Sequence, residues 1–178
     1  MAGTSAGAYM AMSLSGCMEE AKSNISQPNI IYIMADDLGY GDLSCYGQKK
    51  FVTPNIDRLA KEGIKFTDHY AGSTVCAPSR SSLMTGLHTG HCYIRGNREI
   101  KPEGQAPMPS DTVTVAKLLK KKGYTTGIFG KWGLGGPGTG SEPNDQGFDK
   151  FYGYNCQRQA HSFYPCLLYT SPSPRDRG

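Results

Sequence analysis

No stretch of this 178-residue chain approaches the roughly 18 consecutive apolar residues of a membrane-spanning helix, so no segment reads as one. Cysteine is sparse and irregular. The six residues, at 17, 45, 76, 92, 156 and 166, form no C-x-x-C pair, which speaks against both a structural zinc site and a dense disulfide framework. A strong charge of one sign is also lacking: 19 Lys and Arg against 15 Asp and Glu leave a formal net charge of +4. Part of that excess is the run Lys120-Lys121-Lys122, which reads as the solvated C-terminal end of a helix. No aromatic-rich basic stripe accompanies it, and no nucleic-acid partner is expected. The length suits one ordinary domain and does not by itself reveal a truncation.

Residues 1–27 are rich in Ala, Ser, Gly and Met and carry no positive charge before Lys22. Leu14-Ser15-Gly16-Cys17 resembles a lipobox, which implies export as a periplasmic or outer-membrane bacterial lipoprotein with a lipid anchor at Cys17. The basic n-region of such a leader is missing. Gly3-Thr4-Ser5-Ala6-Gly7 fits a nucleophile elbow, but only two residues precede it and no strand leads into the turn. An acyl-hydrolase reading fails on that ground.

From Pro28 the pattern is that of an α/β domain. Asn29 to Ala35 is a continuous, β-branched-rich apolar run, expected as a strand buried on both faces of a mostly parallel sheet. It ends in Asp36-Asp37-Leu38-Gly39. Thr53 then caps a predicted helix with Pro54 first, Ile56, Leu59 and Ala60 on one face and Gly63 past its end. Ile64-Lys65-Phe66 reads as the next strand. Downstream, Thr114 opens a helix with Val115, Leu118 and Leu119 inward, Gly123 ends it, and Tyr124 to Phe129 reads as a strand running into Gly130-Lys131-Trp132. Helix, glycine and strand occurring twice imply crossover units. Gly133 to Gly147 is a Gly/Pro-rich loop. Residues 166–176 resemble translated sequencing-adaptor sequence, so 166–178 is expected to be a non-native tail that packs against nothing specific, the alternative being a genuine Ser-Pro tail.

The strongest chemical signal is Cys76-Ala77-Pro78-Ser79-Arg80 with Ser81 to Gly86 behind it. Pro78 suits the first position of a helix, which places Cys76 at the helix mouth, where unpaired N–H groups favour anions. Arg80 lies one turn along and offers a planar fork to an oxyanion. Taken alone, the pattern equally fits a buried thiol beside a surface arginine.

This stretch resembles the type I sulfatase signature. Three more matches surround it in the expected order: Asn29 to Gly41 with its paired aspartates, Thr53 to Ala60, and Gly123 to Leu134. The resemblance spans 28–165 and implies an alkaline-phosphatase-like α/β fold, a mostly parallel sheet flanked by helices, of which this chain holds the N-terminal part. It further implies that a formylglycine-generating maturation enzyme oxidises Cys76, and that Asp36, Asp37 and the modified Cys76 bind Ca²⁺, with Mg²⁺ possible in its place. Cys76, Arg80 and Lys131 are then the catalytic residues, and all five side chains are expected in one cleft at the carboxyl edge of a parallel sheet.

The implied activity is hydrolysis of sulfate esters of glycans or aryl compounds, the hydrated formylglycine attacking sulfur and its second hydroxyl later expelling sulfate. Many relatives carry histidine two positions after the matching lysine, where this chain has Gly133. His69, His88, His91 and His161 are candidates to supply its contribution. Two alternatives stay open: a phosphodiesterase or phosphonate hydrolase of the same superfamily, and a non-catalytic binding protein with an unmodified Cys76. The fragment alone is expected to be inactive.

Overall fold

The computed structural model describes residues 27–101, 104–162, 164–165 and 168–171. It separates into two units, 1–35 and 36–178. Cys17, the lipobox, the Gly3 to Gly7 motif, Cys166 and residues 172–178 lie outside the described residues. In the first unit, residues 27–35 are irregular backbone with exposed apolar side chains, Ile31 at 85% and Ile33 at 82%. The expected buried strand is therefore not formed. A strand exists only where a neighbour takes its N–H and C=O groups, and among the described residues none pairs with this run.

In the second unit, two 3₁₀ turns, Tyr40–Asp42 and Ser44–Tyr46, precede helix α1, Pro54–Glu62. Its limits are those read from Thr53, Pro54 and Gly63. Thr53 makes no side-chain cap; its Oγ1 donates instead to Asp57 Oδ1 at 3.0 Å, while Ser44 Oγ donates to Asp57 Oδ2 at 2.6 Å. That network ties the helix start to the preceding turn. The apolar face of α1 is uncovered: no residue of the helix is buried, and Ile56 and Leu59 are exposed. Ile64-Lys65-Phe66 is also irregular and exposed rather than a strand, for the same want of a partner.

Helix α2, Cys76–Thr85, begins two residues before the expected Pro78 and ends at Gly86, whose φ of 69° is the left-handed conformation that glycine tolerates best. Ala77, Pro78 and Ser81 form its buried face. Helix α3, Val115–Lys121, is capped as expected, Thr114 Oγ1 accepting from the Lys117 N–H at 3.2 Å. Its buried residue is Ala116, whereas Val115 and Leu118 are exposed, so the face read from hydrophobicity is rotated. The Thr114 hydroxyl explains the turn of the helix: it donates to Gln146 O at 2.6 Å and pins that side against the following loop.

The sheet has the order β1-β2-β3, with β1 at Gly127–Lys131, β2 at Lys150–Tyr154 and β3 at Tyr169–Ser171. β1 and β2 are parallel, as expected, with Gly127 opposite Lys150 and Lys131 opposite Tyr154. β3 is antiparallel to β2, with Tyr169 opposite Gly153, so the described sheet is mixed. The expectation that 166–178 packs against nothing specific differs here, because β3 lies within it. The free edge of β2 presents N–H and C=O groups that an extended segment satisfies.

The core joins Ala77 of α2 to Ile94, Ala106, Met108, Trp132, Leu134 and Phe151. Trp132 is the largest fully buried side chain among the described residues. Its indole Nε1 donates to Ser141 O at 2.8 Å and its ring meets Phe148 edge-on at 6.0 Å. This packing sets the end of β1 against the start of α2, which positions the site.

Candidate active site

Each chemically marked residue stands where an element starts or stops. Cys76 opens α2, Arg80 follows one turn on, Lys131 closes β1, and Asp36 and Asp37 form a turn at the start of the second unit. Four of the five meet. Lys131 Nζ lies 3.5 Å from Cys76 Sγ, and the thiol stands 4.0 Å from Asp36 Oδ1. Asp36 Oδ2 takes a close ion pair from Lys131 Nζ and a longer one from Arg80 Nη2 at 3.4 Å. Arg80 Nη1 also donates to the Lys131 carbonyl, locking the guanidinium to the end of β1.

The two cations are more buried than the carboxylate: the side chains of Lys131 and Arg80 are 8% and 15% exposed, against 42% for Asp36. Burial pushes the Arg80 guanidinium below its ordinary value, opposed by the Asp36 carboxylate and Cys76. For Asp36, burial alone would raise the carboxyl, but the hydrogen bond from Lys131 and the charges of Lys131, Arg80 and His161 hold it below the usual carboxylate range. The centre is thus an anionic group facing two sheltered cations across a thiol. Another oxyanion can compete for those cations.

Asp37 is exposed and has a left-handed φ of 56°, a conformation aspartate accepts more readily than most residues. It joins the cluster by adjacency along the chain. Asp36 and Asp37 offer hard oxygen donors of the kind that Ca²⁺ and Mg²⁺ take. Yet among the described residues no group of three or more His, Cys, Asp and Glu side chains gathers to hold a metal. The donors fit such an ion in kind and form only part of a ligand set.

Cys76 is a free, partly exposed thiol. The helix mouth beneath it is less open to anions than sequence suggests. Pro78 has no N–H, and the Ala77 N–H already donates to Asn97 Oδ1 at 2.9 Å. Asn97 was not legible in the sequence, since nothing local links it to residues 20 positions earlier.

Of the four histidines, His161, in the 3₁₀ turn Gln159–His161, acts electrostatically on Asp36. His69 lies against Phe66 and His88 against His91. The space that a side chain would need at Gly133 is filled by Gln157, whose Nε2 stands 1.5 Å from where a Cβ would be.

The α/β scaffold thus gathers a thiol, two sheltered cations and a carboxylate at strand and helix ends. The chain belongs to the sulfatase family, whose model matches residues 28–165. Over 151 residues it is 47% identical to the N-acetylgalactosamine-6-O-sulfatase of Bacteroides thetaiotaomicron, covering 76% of this chain and 29% of that protein. Over 148 residues it is 44% identical to arylsulfatase A of Homo sapiens, covering 83% of this chain and 28% of that protein. The solved structure of Ps i-CgsB in complex with k-i-k-neocarrahexaose matches with a TM-score of 0.66 at 31% identity, covering 78% of this chain and 35% of that one. The chain therefore spans less than a third of the length of these two curated relatives.

Proposed function

We propose that the protein hydrolyses sulfate esters at residue 76, after a formylglycine-generating enzyme has replaced the Cys76 thiol by an aldehyde. The observation that carries this reading is the contact of Lys131 Nζ with Cys76 Sγ at 3.5 Å while Arg80 is fixed to the same strand end. A sulfate ester set against residue 76 would meet both cations at once. Arg80, whose Nη1 is engaged by the Lys131 carbonyl, would offer Nη2 to a sulfuryl oxygen in competition with Asp36, and Lys131 would place its charge between the ester and residue 76. Their burial keeps water from screening the interaction.

Formylglycine supplies, as its hydrate, two hydroxyls on one carbon, one to attack sulfur and one to collapse to the aldehyde and expel sulfate, a pair that neither a thiol nor serine offers. Asp36 and Asp37 would hold a divalent cation, Ca²⁺ or Mg²⁺, together with the oxygen of modified residue 76. Such an ion supplies Lewis-acid polarisation when bound. The protein's own part is to keep Asp36 ionised, through Lys131 and Arg80, so that a carboxylate faces residue 76.

A sulfated glycan or aryl sulfate is the proposed substrate, supported by relatives named for N-acetylgalactosamine 6-O-sulfate and aryl sulfate hydrolysis and by the oligosaccharide in the Ps i-CgsB complex. Residues 28–165 are then the N-terminal part of the catalytic domain, behind an exported leader with a lipid anchor at Cys17. The test is full-length protein made with the maturation enzyme and assayed on an aryl sulfate, an aryl phosphodiester and an aryl phosphonate. Turnover of the sulfate, lost in Cys76→Ala, is expected. A preference for the phosphodiester or phosphonate selects the superfamily alternative, and no turnover of any of them with residue 76 still a thiol selects a binding protein.

A further inference from the structure

Gln157 has a side chain whose placement the fold does not explain. It is 4% exposed, yet neither polar atom of its carboxamide has a hydrogen-bond partner among the described residues. Asn155, two residues earlier and 1% exposed, is in the same condition. A buried amide without a partner costs about 1–3 kcal/mol, and native proteins keep few such groups without a use for them. The backbone around Gln157 is well anchored: its own N–H donates to Gln105 Oε1 at 3.2 Å, and Asn155 O accepts from the Gly133 N–H at 3.1 Å. The side chain is therefore held in place by its backbone and by packing.

What it packs on is informative. The carboxamide lies directly over Gly133, with Nε2 1.5 Å and Cδ 2.6 Å from the position a Cβ would take. Gly133 has a φ of 74°, and the absence of a side chain there is what admits the amide. Gly133 is two residues from Lys131, a chain path of about 7 Å at most between Cα atoms. The Lys131 carbonyl accepts from Arg80, and the Lys131 amine touches Cys76. Gln157 thus places a neutral, water-sheltered donor over Gly133, two residues beyond the strand end that carries Lys131 and to which Arg80 of α2 is bonded.

We propose that the Gln157 carboxamide contacts the substrate, donating from Nε2 to an oxygen of the sulfate ester held between Arg80 and Lys131. This rests on the sulfatase reading above. The chemistry is that of a fixed hydrogen-bond donor in a dry site, which stabilises charge developing on oxygen and transfers no proton. A carboxamide suits it because it neither titrates nor pairs permanently with Asp36.

The test uses full-length, matured protein and three aryl sulfates plus one alkyl sulfate that differ in leaving-group acidity. Wild-type turnover, abolished in Cys76→Ala, establishes the sulfatase reading independently. Gln157→Ala is then expected to lower kcat/KM on the order of 10²-fold, the typical effect of losing one such donor. Its melting temperature should be unchanged or higher, since an unpaired buried amide has been removed. Gln157→Glu keeps the shape without the Nε2 donor and should be equally impaired. Gly133→Ala displaces the amide, so it should also lose activity, and adding it to Gln157→Gly should cost little more than Gln157→Gly alone. A loss that grows with poorer leaving groups assigns the contact to the bridging oxygen; a uniform loss assigns it to a sulfuryl oxygen. Both outcomes support the proposal. Gln157→Ala and Gln157→Glu within about threefold of wild type would overturn it, as would a loss of activity matched by a fall in melting temperature, against the expectation for an unpaired amide.

Discussion

Lys131 and Cys76 are 55 residues apart in sequence, and the Lys131 amine lies 3.5 Å from the Cys76 sulfur. That contact joins the last residue of β1 to the first of α2, and the proposed chemistry depends on it. Lys131→Ala in full-length protein should lower kcat by about 10²- to 10³-fold, the range for losing a preorganised charge-stabilising donor. Steady-state kinetics on an aryl sulfate would check it. An unchanged kcat would place Lys131 outside the machinery.

Arg80 is bound at both ends of its fork, to the Lys131 carbonyl and to Asp36. Lysine cannot reproduce two parallel contacts, so Arg80→Lys should behave nearly as badly as Arg80→Ala. A lysine variant with close to full kcat/KM would mean that charge alone matters at this position.

Trp132 is the largest fully buried side chain of the core among the described residues, and its indole N–H is satisfied by Ser141 O. Trp132→Ala should destabilise the fold by about 3–5 kcal/mol. Urea unfolding followed by circular dichroism measures this, and a loss below about 1 kcal/mol would show that Trp132 contributes little to the core.

Asp149 accepts hydrogen bonds from Lys120 and from the Thr126 amide and hydroxyl, which bring its carboxyl down to about 2. A carboxylate depressed on folding stabilises the native state above its unfolded value and loses that contribution as pH falls through the folded one. Asp149→Asn should therefore be less stable than wild type at neutral pH, with the difference closing as pH falls from about 4 toward about 2. A difference that stays constant over that range would contradict the linkage.

Much of the site was readable because sulfatase-like motifs mark it locally. Cys76, Arg80, Lys131 and Asp36 were each named from their own short segments, and the fold brings those four together. Helix α1 was legible for the same reason, its limits being fixed by Thr53, Pro54 and Gly63. Strands were less legible, because a strand is defined by its neighbour. The run from Asn29 to Ala35 has strand composition and no pairing partner among the described residues, whereas Tyr169–Ser171 was set aside for its resemblance to adaptor sequence and pairs with β2. Gln157 and Asn97 carry no motif at all. Their roles follow from tertiary approach to Gly133 and Ala77, which no local pattern encodes.

The 178 residues alone, matured at Cys76 and given excess Ca²⁺, are expected to show no turnover of a chromogenic aryl sulfate. Asp36, Asp37 and modified residue 76 supply fewer than the six to eight oxygens that Ca²⁺ usually takes. Turnover that disappears in Cys76→Ala would show that the described site is sufficient.

The central claim is that residue 76 works as formylglycine. Peptide mass spectrometry of full-length protein, produced with the maturation enzyme, reads this directly on the peptide spanning Cys76 to Arg80. The expected result is the mass of the aldehyde, or of its hydrate, at residue 76, rising in proportion to aryl sulfate turnover. An unmodified thiol in protein that still hydrolyses the ester would contradict the account.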